Sequence, residues 1–335
     1  MSRSKIRITD VSPRDGLQNE PGVIATTEKA DLVLALARSG VDEIEVTSFV
    51  SPKWVPQLGD AASLLEQLAA QTDFAPDRCP MLSALVPNER GFVSLIEANR
   101  TASRMELGWA EQGPHSLIRK ASLFTAASET FCKKNTNATI AETIDRFRPV
   151  VSQARKHGLL IRGYISCVIA CPFEGPIAPS KIANVAEELA ALGVDEIDLG
   201  DTIGVGTPET TKAMLDAVIS RVGTAWLGER VPGMPALVMH LHDTFGRAAD
   251  CVRAALACGI RSFDGSVAGL GGCPYASTPT TRAPGNIDTA LLVRTVRDSG
   301  FDTHVDLDRL DGAARIARSA VEAARRSAAS QGGAS

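Results

Sequence analysis

Two histidines stand two residues apart in VMHLHDTFGR (238–247), and an aspartate follows the second. If this run is a strand, His240 and His242 face one side and Leu241 the other, because strand side chains alternate with period two. Two imidazoles on one face can reach a single metal ion; they can also simply line a polar barrel mouth. Asp243 is better placed to orient a histidine or cap the next helix than to ligate. A second group lies in DVSPRDGLQNEPG (10–22), which sets Arg14 beside Asp15. Asp15 offers a hard oxygen of the kind that Mg2+ and Mn2+ prefer. Arg14 offers a fixed planar cation suited to a developing oxyanion.

Two further segments carry reactive types. In VDEIEVTSF (41–49), Glu43 and Glu45 share one strand face, and a carboxylate inside a barrel needs a partner or a task. Glu45, the deeper of the two, is either catalytic or ion-paired with an arginine such as Arg14. The glycine-rich run SVAGLGGCPYASTPTTRAPGN (266–286) holds Cys273 between Gly272 and Pro274, which suggests a lid bearing a functional thiol.

Positioning these groups requires a scaffold, and the hydrophobic pattern supplies one. Short runs rich in Val, Ile and Leu alternate with segments of helical period. Strands are expected at 6–11, 41–47, 81–86, 121–124, 159–167, 196–200, 236–242 and 262–267. Helices are expected at 27–39, 60–70, 139–157, 181–192, 208–221 and 247–257. A weak repeat supports the layout: ALARSGVDEIEV (35–46), ELAALGVDEIDL (188–199) and ALACGIRSFDGS (255–266) each place a glycine where a helix would end. Eight βα units predict a (β/α)8 TIM barrel, an α/β fold, with function at the C-terminal strand ends. The expected organisation is one catalytic domain over 1–325, closed by additional C-terminal helices, with a disordered tail at 326–335. The stretch 99–122, with a Trp and a His among polar residues, yields no clear element.

Composition narrows the partners. The formal charge of −4, with no long run of like charge, argues against nucleic acid and anionic membranes. No stretch reaches the ~18 apolar residues of a membrane-spanning helix, and the N-terminal run lacks a signal-like apolar core, so a cytoplasmic location is expected. Seven cysteines, an odd number, do not suggest a disulfide framework.

The runs SPRDGLQNE (12–20), IEVTSFVSPKWVPQLGD (44–60), FTAASETFCKKNTN (124–137), GYISCVIACPFEG (163–175), DTIGVGTP (201–208), HLHDTFG (240–246) and SVAGLGGCPYA (266–276) together resemble the 3-hydroxy-3-methylglutaryl-CoA lyase family. The resemblance spans nearly the whole chain. It implies cleavage of a 3-hydroxy-3-methylglutaryl thioester to acetyl-CoA and acetoacetate with a divalent metal, Mg2+ or Mn2+. It further implies Asp15, His240, His242 and Asn286 as metal ligands, Arg14 at the thioester carbonyl, Glu45 near metal and substrate, and Cys273 on the loop. Arg14, Asp15, Glu45, His240 and Cys273 are then the catalytic candidates. Arg14, Gln18, Ser48, Ser128 and Thr202 match substrate-binding positions. Lys53, Trp54 and Gln57 receive no chemistry. An acyl-CoA substrate and a homodimer are also implied.

Two departures bear on specificity. The stretch CPYASTPTTRAPGN is longer than the family pattern, and Ala290 stands where that pattern has a glutamate. An alternative is therefore a lyase for a C3-extended substrate such as 3-hydroxy-3-isohexenylglutaryl-CoA. A Claisen-type synthase is the more distant alternative.

Overall fold

The computed structural model describes residues 4–71, 79–105, 108–272 and 285–332. Eight parallel strands close a barrel: β1 (Arg7–Asp10), β2 (Glu43–Ser48), β3 (Met81–Leu85), β4 (Lys120–Ala126), β5 (Leu160–Ser166), β6 (Glu196–Asp201), β7 (Leu237–Leu241) and β8 (Ser262–Gly265). Each strand pairs with its sequence neighbours, and β8 pairs with β1 to complete the circle. All eight expected strands are present, displaced only at their ends. Both faces of β2 and β6 are buried, as a wall must be when helices cover it outside and side chains fill it inside.

Ten helices lie in the described chain: α1 (Thr26–Ser39), α2 (Ala61–Ala69), α3 (Glu89–Ala102), α4 (Glu129–Thr136), α5 (Ile140–Lys156), α6 (Pro179–Leu192), α7 (Pro208–Val222), α8 (Ala248–Ala257), α9 (Thr289–Asp298) and α10 (Leu307–Gly332). The repeated glycine does what the pattern predicts. Gly40, Gly193 and Gly259 have φ of 82°, 90° and 98°, the left-handed geometry that turns each helix toward the following strand. One helix, α10, follows the eight βα units and packs along α1. It continues past position 326, where the sequence suggests a tail.

Between α3 and β4 lies a contact from a side chain to which pattern reading gives no weight. Asn99, buried at the end of α3, donates from Nδ2 to the Ile118 carbonyl and accepts the Ile118 N–H at Oδ1, both at 2.9 Å. This amide substitutes for a strand neighbour, so the chain reaches β4 without its own hydrophobic period. Trp109 packs into the core, and the single turn Gly113–His115 completes the connection.

Candidate active site

The turn after β1 is built on one acceptor. The Val11 carbonyl receives the N–H groups of Arg14, Asp15 and Gly16 at 3.2, 2.8 and 3.2 Å, winding Ser12–Gly16 into a single π-helical turn with Pro13 as its second residue. The winding brings Arg14 and Asp15 together at the C-terminal mouth. One Arg14 terminal nitrogen lies 2.6 Å from Asp15 Oδ1, its Nε donates to Glu45 Oε2, and the guanidinium sits 5.5 Å from the Tyr164 ring centre. Tyr164 in turn donates to Glu45 at 3.3 Å and faces Asp264 at 3.4 Å. Of the two readings of Glu45, the structure shows the ion pair with Arg14, formed inside the candidate site.

His240 and His242 project from the end of β7 with ring centres 5.4 Å apart. The His240 Nδ1 lies 3.3 Å from Asp264, whereas the buried His242 Nδ1 has no hydrogen-bond partner among the described residues. The chain returns beside this strand end: Asp243 N donates to Gly285 O at 2.8 Å and Ile287 N to Leu241 O at 2.9 Å. Asn286 is thereby bridged to His242. Its Nδ2 donates to Asp15 Oδ2 at 2.8 Å and to Leu270 O at 3.0 Å, leaving the amide oxygen as the atom it would offer a ligand. Gly271 permits this approach: its φ is 96°, and a Cβ there would stand 2.5 Å from Asn286 Nδ2.

One ligand atom each from Asp15, His240 and His242 fall within 4.8 Å of one another. Two imidazoles, a carboxylate and an amide oxygen suit a divalent cation, and the His242 Nδ1, without a hydrogen-bond partner among the described residues, is consistent with a ligand's role. Asp198, His240 and Asp264 form a second triad within the same 4.8 Å limit, but its two carboxylates are already paired with a guanidinium. Arg162 lies 3.0 Å from Asp264 and 3.3 Å from Asp198.

Electrostatics prepare the first triad. Burial alone would raise Asp15, yet Arg14, His240 and His242 hold its carboxyl down at about 2. Burial, reinforced by His240, lowers His242 to about 4. At neutral pH Asp15 is ionised and His242 is neutral, the forms that bind metal. For Arg14, burial opposes the charge, but Glu45 and Asp15 outweigh it and raise its pKa.

Below the mouth the barrel is filled with charge. Lys120 pairs with Glu43 at 2.6 Å and also with Glu196; Arg162 pairs with Glu196 at 2.9 Å; Arg7 reaches Glu43 at 2.9 Å. Sequence reasoning found Glu43 but missed Lys120, Arg162, Tyr164, Glu196, Asp198 and Asp264. The available signal was the same period-two alternation: Arg162 with Tyr164, and Glu196 with Asp198, each share a strand face.

The other expected residues fall as follows. Gln18 is half-buried just past the Arg14 turn. Ser48 is buried at the end of β2, and its hydroxyl has no partner among the described residues. Ser128 caps α4, accepting the Phe131 N–H at 3.1 Å, and donates to Cys171 Sγ at 3.0 Å. Thr202 accepts the Cys167 N–H at 2.8 Å. Asp243 accepts the Ala248 N–H at 2.9 Å, so of its two expected roles it takes the helix cap. Cys273 and its loop lie outside the described residues. Gln57, given no chemistry, clamps the exit of the Arg14 turn, accepting from Ile24 N and donating to Gly22 O, both at 3.2 Å. Asp201 was overlooked: it accepts the Gly206 N–H at 2.7 Å, and burial pushes it up to about 6.

Comparison with known proteins matches this arrangement. The HMGL-like family model matches residues 5–316. The chain is 40% identical over 306 residues to the mitochondrial hydroxymethylglutaryl-CoA lyase of Bos taurus, covering 91% of this chain and 82% of that protein. The HMG-CoA lyase structure from Brucella melitensis superposes with a TM-score of 0.79 at 41% identity, covering 95% of this chain and 99% of the other. An HMG-CoA lyase from Acinetobacter baumannii, solved with coenzyme A and 3-methylmalate, gives 0.78 at 31% identity, covering 95% and 92%. With its eight-stranded barrel and its paired histidines beside Arg14 and Asp15, this chain belongs to the HMGL-like family of carbon–carbon lyases, alongside the HMG-CoA lyases.

Proposed function

We propose that the chain cleaves the C2–C3 bond of 3-hydroxy-3-methylglutaryl-CoA by a retro-Claisen step, releasing acetyl-CoA and acetoacetate. The observation that carries this reading is the meeting of Asp15, His240 and His242 within 4.8 Å, directly beside the Arg14–Glu45 pair. Asp15, His240, His242 and Asn286 would hold Mg2+ or Mn2+, which would supply Lewis acidity to the substrate's oxygens. Arg14 presents its guanidinium to the thioester oxygen, where negative charge gathers as the bond breaks. A side chain takes the C3 hydroxyl proton, C3 becomes the ketone of acetoacetate, and the C2–C3 electron pair moves into the thioester enolate. Asp15, or a histidine nitrogen left free by its metal bond, is proposed as the acceptor in this first transfer, with Glu45 assisting. Cys273 is proposed as the acid that protonates C2. Gln18, Ser48, Ser128 and Thr202 are proposed to contact the substrate. The acyl-CoA partner is supported by the coenzyme A bound in the Acinetobacter relative. A homodimer and a cytoplasmic location are carried forward from the sequence.

The deciding experiment is acetoacetate release from 3-hydroxy-3-methylglutaryl-CoA with Mg2+, with Mn2+ and with EDTA, beside a C3-extended thioester. Metal-dependent cleavage that prefers the methyl substrate is expected. Turnover of the extended thioester alone would keep the chemistry and reassign the substrate. Turnover undiminished by EDTA would overturn the metal assignment.

A further inference from the structure

Asp10, the last residue of β1, is fully buried and has no part in the chemistry above. Its carboxylate receives four hydrogen bonds. Oδ1 accepts the Ser12 N–H at 2.9 Å and the Ser12 hydroxyl; Oδ2 accepts the Val267 N–H at 3.1 Å and the Thr289 hydroxyl at 2.7 Å. Among the described residues it makes no ion pair, and burial pushes it up to about 6. A buried carboxylate without a cation is costly, and here hydrogen bonds alone compensate it.

The donors come from three separate segments. Ser12 opens the turn that carries Arg14 and Asp15. Val267 opens the short turn leading to Leu270, whose carbonyl receives Asn286 Nδ2. Thr289 begins α9, three residues beyond Asn286. Further bonds tie the same pieces together: Val11 N to Gly265 O at 2.9 Å, Ser266 N to Ile287 O at 3.0 Å, and Val267 N to the Ser12 hydroxyl at 2.9 Å. All four groups facing Asp10 are donors. A neutral amide would turn its NH2 toward two of them, so the position calls for two acceptor oxygens.

We propose that Asp10 is a positioning residue: by gathering Ser12, Val267 and Thr289 onto one carboxylate, it sets the separation of Asp15 and Asn286. The inference rests on reading those two residues as metal ligands. It predicts that loosening the hub weakens metal binding without removing a ligand.

The test measures Mn2+ affinity by electron paramagnetic resonance, with metal-free thermal unfolding and kcat and KM, on wild type, Asp10→Asn, Thr289→Val and Thr289→Ser. Thr289→Val removes one donor at nearly constant shape, which covers the case in which Asp10→Asn does not fold. Thr289→Val is expected to bind Mn2+ about tenfold more weakly, as outer partners of metal ligands commonly do when changed, while Thr289→Ser keeps near-wild-type affinity. A fall in unfolding temperature with Mn2+ affinity and kcat unchanged would reduce Asp10 to a structural buttress and overturn the proposal. Wild type that binds no Mn2+ would overturn the metal reading and this inference with it, so the two failures are distinguishable.

Discussion

Asn286 Nδ2 lies 2.8 Å from Asp15 Oδ2, joining residues 271 positions apart in the chain. The bond orders two candidate ligands before any ion arrives: Asp15 is fixed by Arg14 on one oxygen and by Asn286 on the other. Preorganised ligands bind without first losing conformational freedom. Asn286→Ala should therefore lose a ligand and also release Asp15, weakening Mn2+ binding by at least about tenfold. Isothermal titration of the purified protein checks this, and unchanged affinity would remove Asn286 from the ligand set.

Arg14 is clamped between Glu45 and Asp15 and backed by Tyr164. A guanidinium held this firmly reorganises little when charge develops opposite it, which is where electrostatic catalysis gains most. Arg14→Gln should lower kcat by about 10²–10³ while Mn2+ still binds. Arg14→Lys should recover only part of the loss, because an ammonium cannot serve both carboxylates with a planar fork. Near-full activity in Arg14→Gln would refute the oxyanion role; single-turnover acetoacetate release is the measurement.

How much of this site was legible in sequence depended on where each contact was made. His240, His242, Arg14, Asp15 and Glu45 stood out because rare residue types clustered at strand ends, and strand parity fixed the side they face. Asn286 carries no pattern of its own and entered only through the family resemblance. Its place beside Asp15 depends on Gly271 and on a bridge to His242 that no local spacing encodes. The charged barrel interior was missed for a different reason. Arg162 sits between apolar neighbours in LLIRGYIS, and its partners Glu196, Asp198 and Asp264 lie 34 or more positions away. The barrel itself was readable because eight repeats of one pattern constrain topology more than any single element does.

Metal-free stability should carry a signature of His242. Its folded value, about 4, lies below the ordinary histidine value, so the unfolded chain binds the proton more readily. The stabilisation is present above about pH 6.5 and is lost as pH falls toward 4. In EDTA, the stability of wild type relative to His242→Gln should shrink by about 3 kcal/mol between pH 7 and pH 4. Asp10 and Asp201, with raised carboxyls, act in the opposite direction, but both proteins contain them and the comparison removes their contribution. A difference that does not vary with pH would show that His242 titrates alike in both states.

Arg162 is the member of the buried network with the most to lose. Its guanidinium contacts Glu196, Asp198 and Asp264, donates to Thr9 at 3.2 Å and is wholly shielded from water. Burial should disfavour its charge, yet Asp264 and Glu196 raise its pKa, while Arg162 keeps Asp264 down at about 2. Arg162→Gln would leave several carboxylates in the barrel without their shared cation, and removing one partner of a buried ion pair costs about 3–5 kcal/mol. The loss should be largest at neutral pH and smaller in mild acid, because protonating Asp264 or its neighbours relieves the uncompensated charge. Asp264 also faces His240 Nδ1, so the substitution should weaken Mn2+ binding even in protein that remains folded. Unfolding midpoints at pH 5 and pH 7, measured beside Mn2+ affinity, test both effects. A variant with a wild-type midpoint at both pH values would mean that the network adds little to stability, despite its burial.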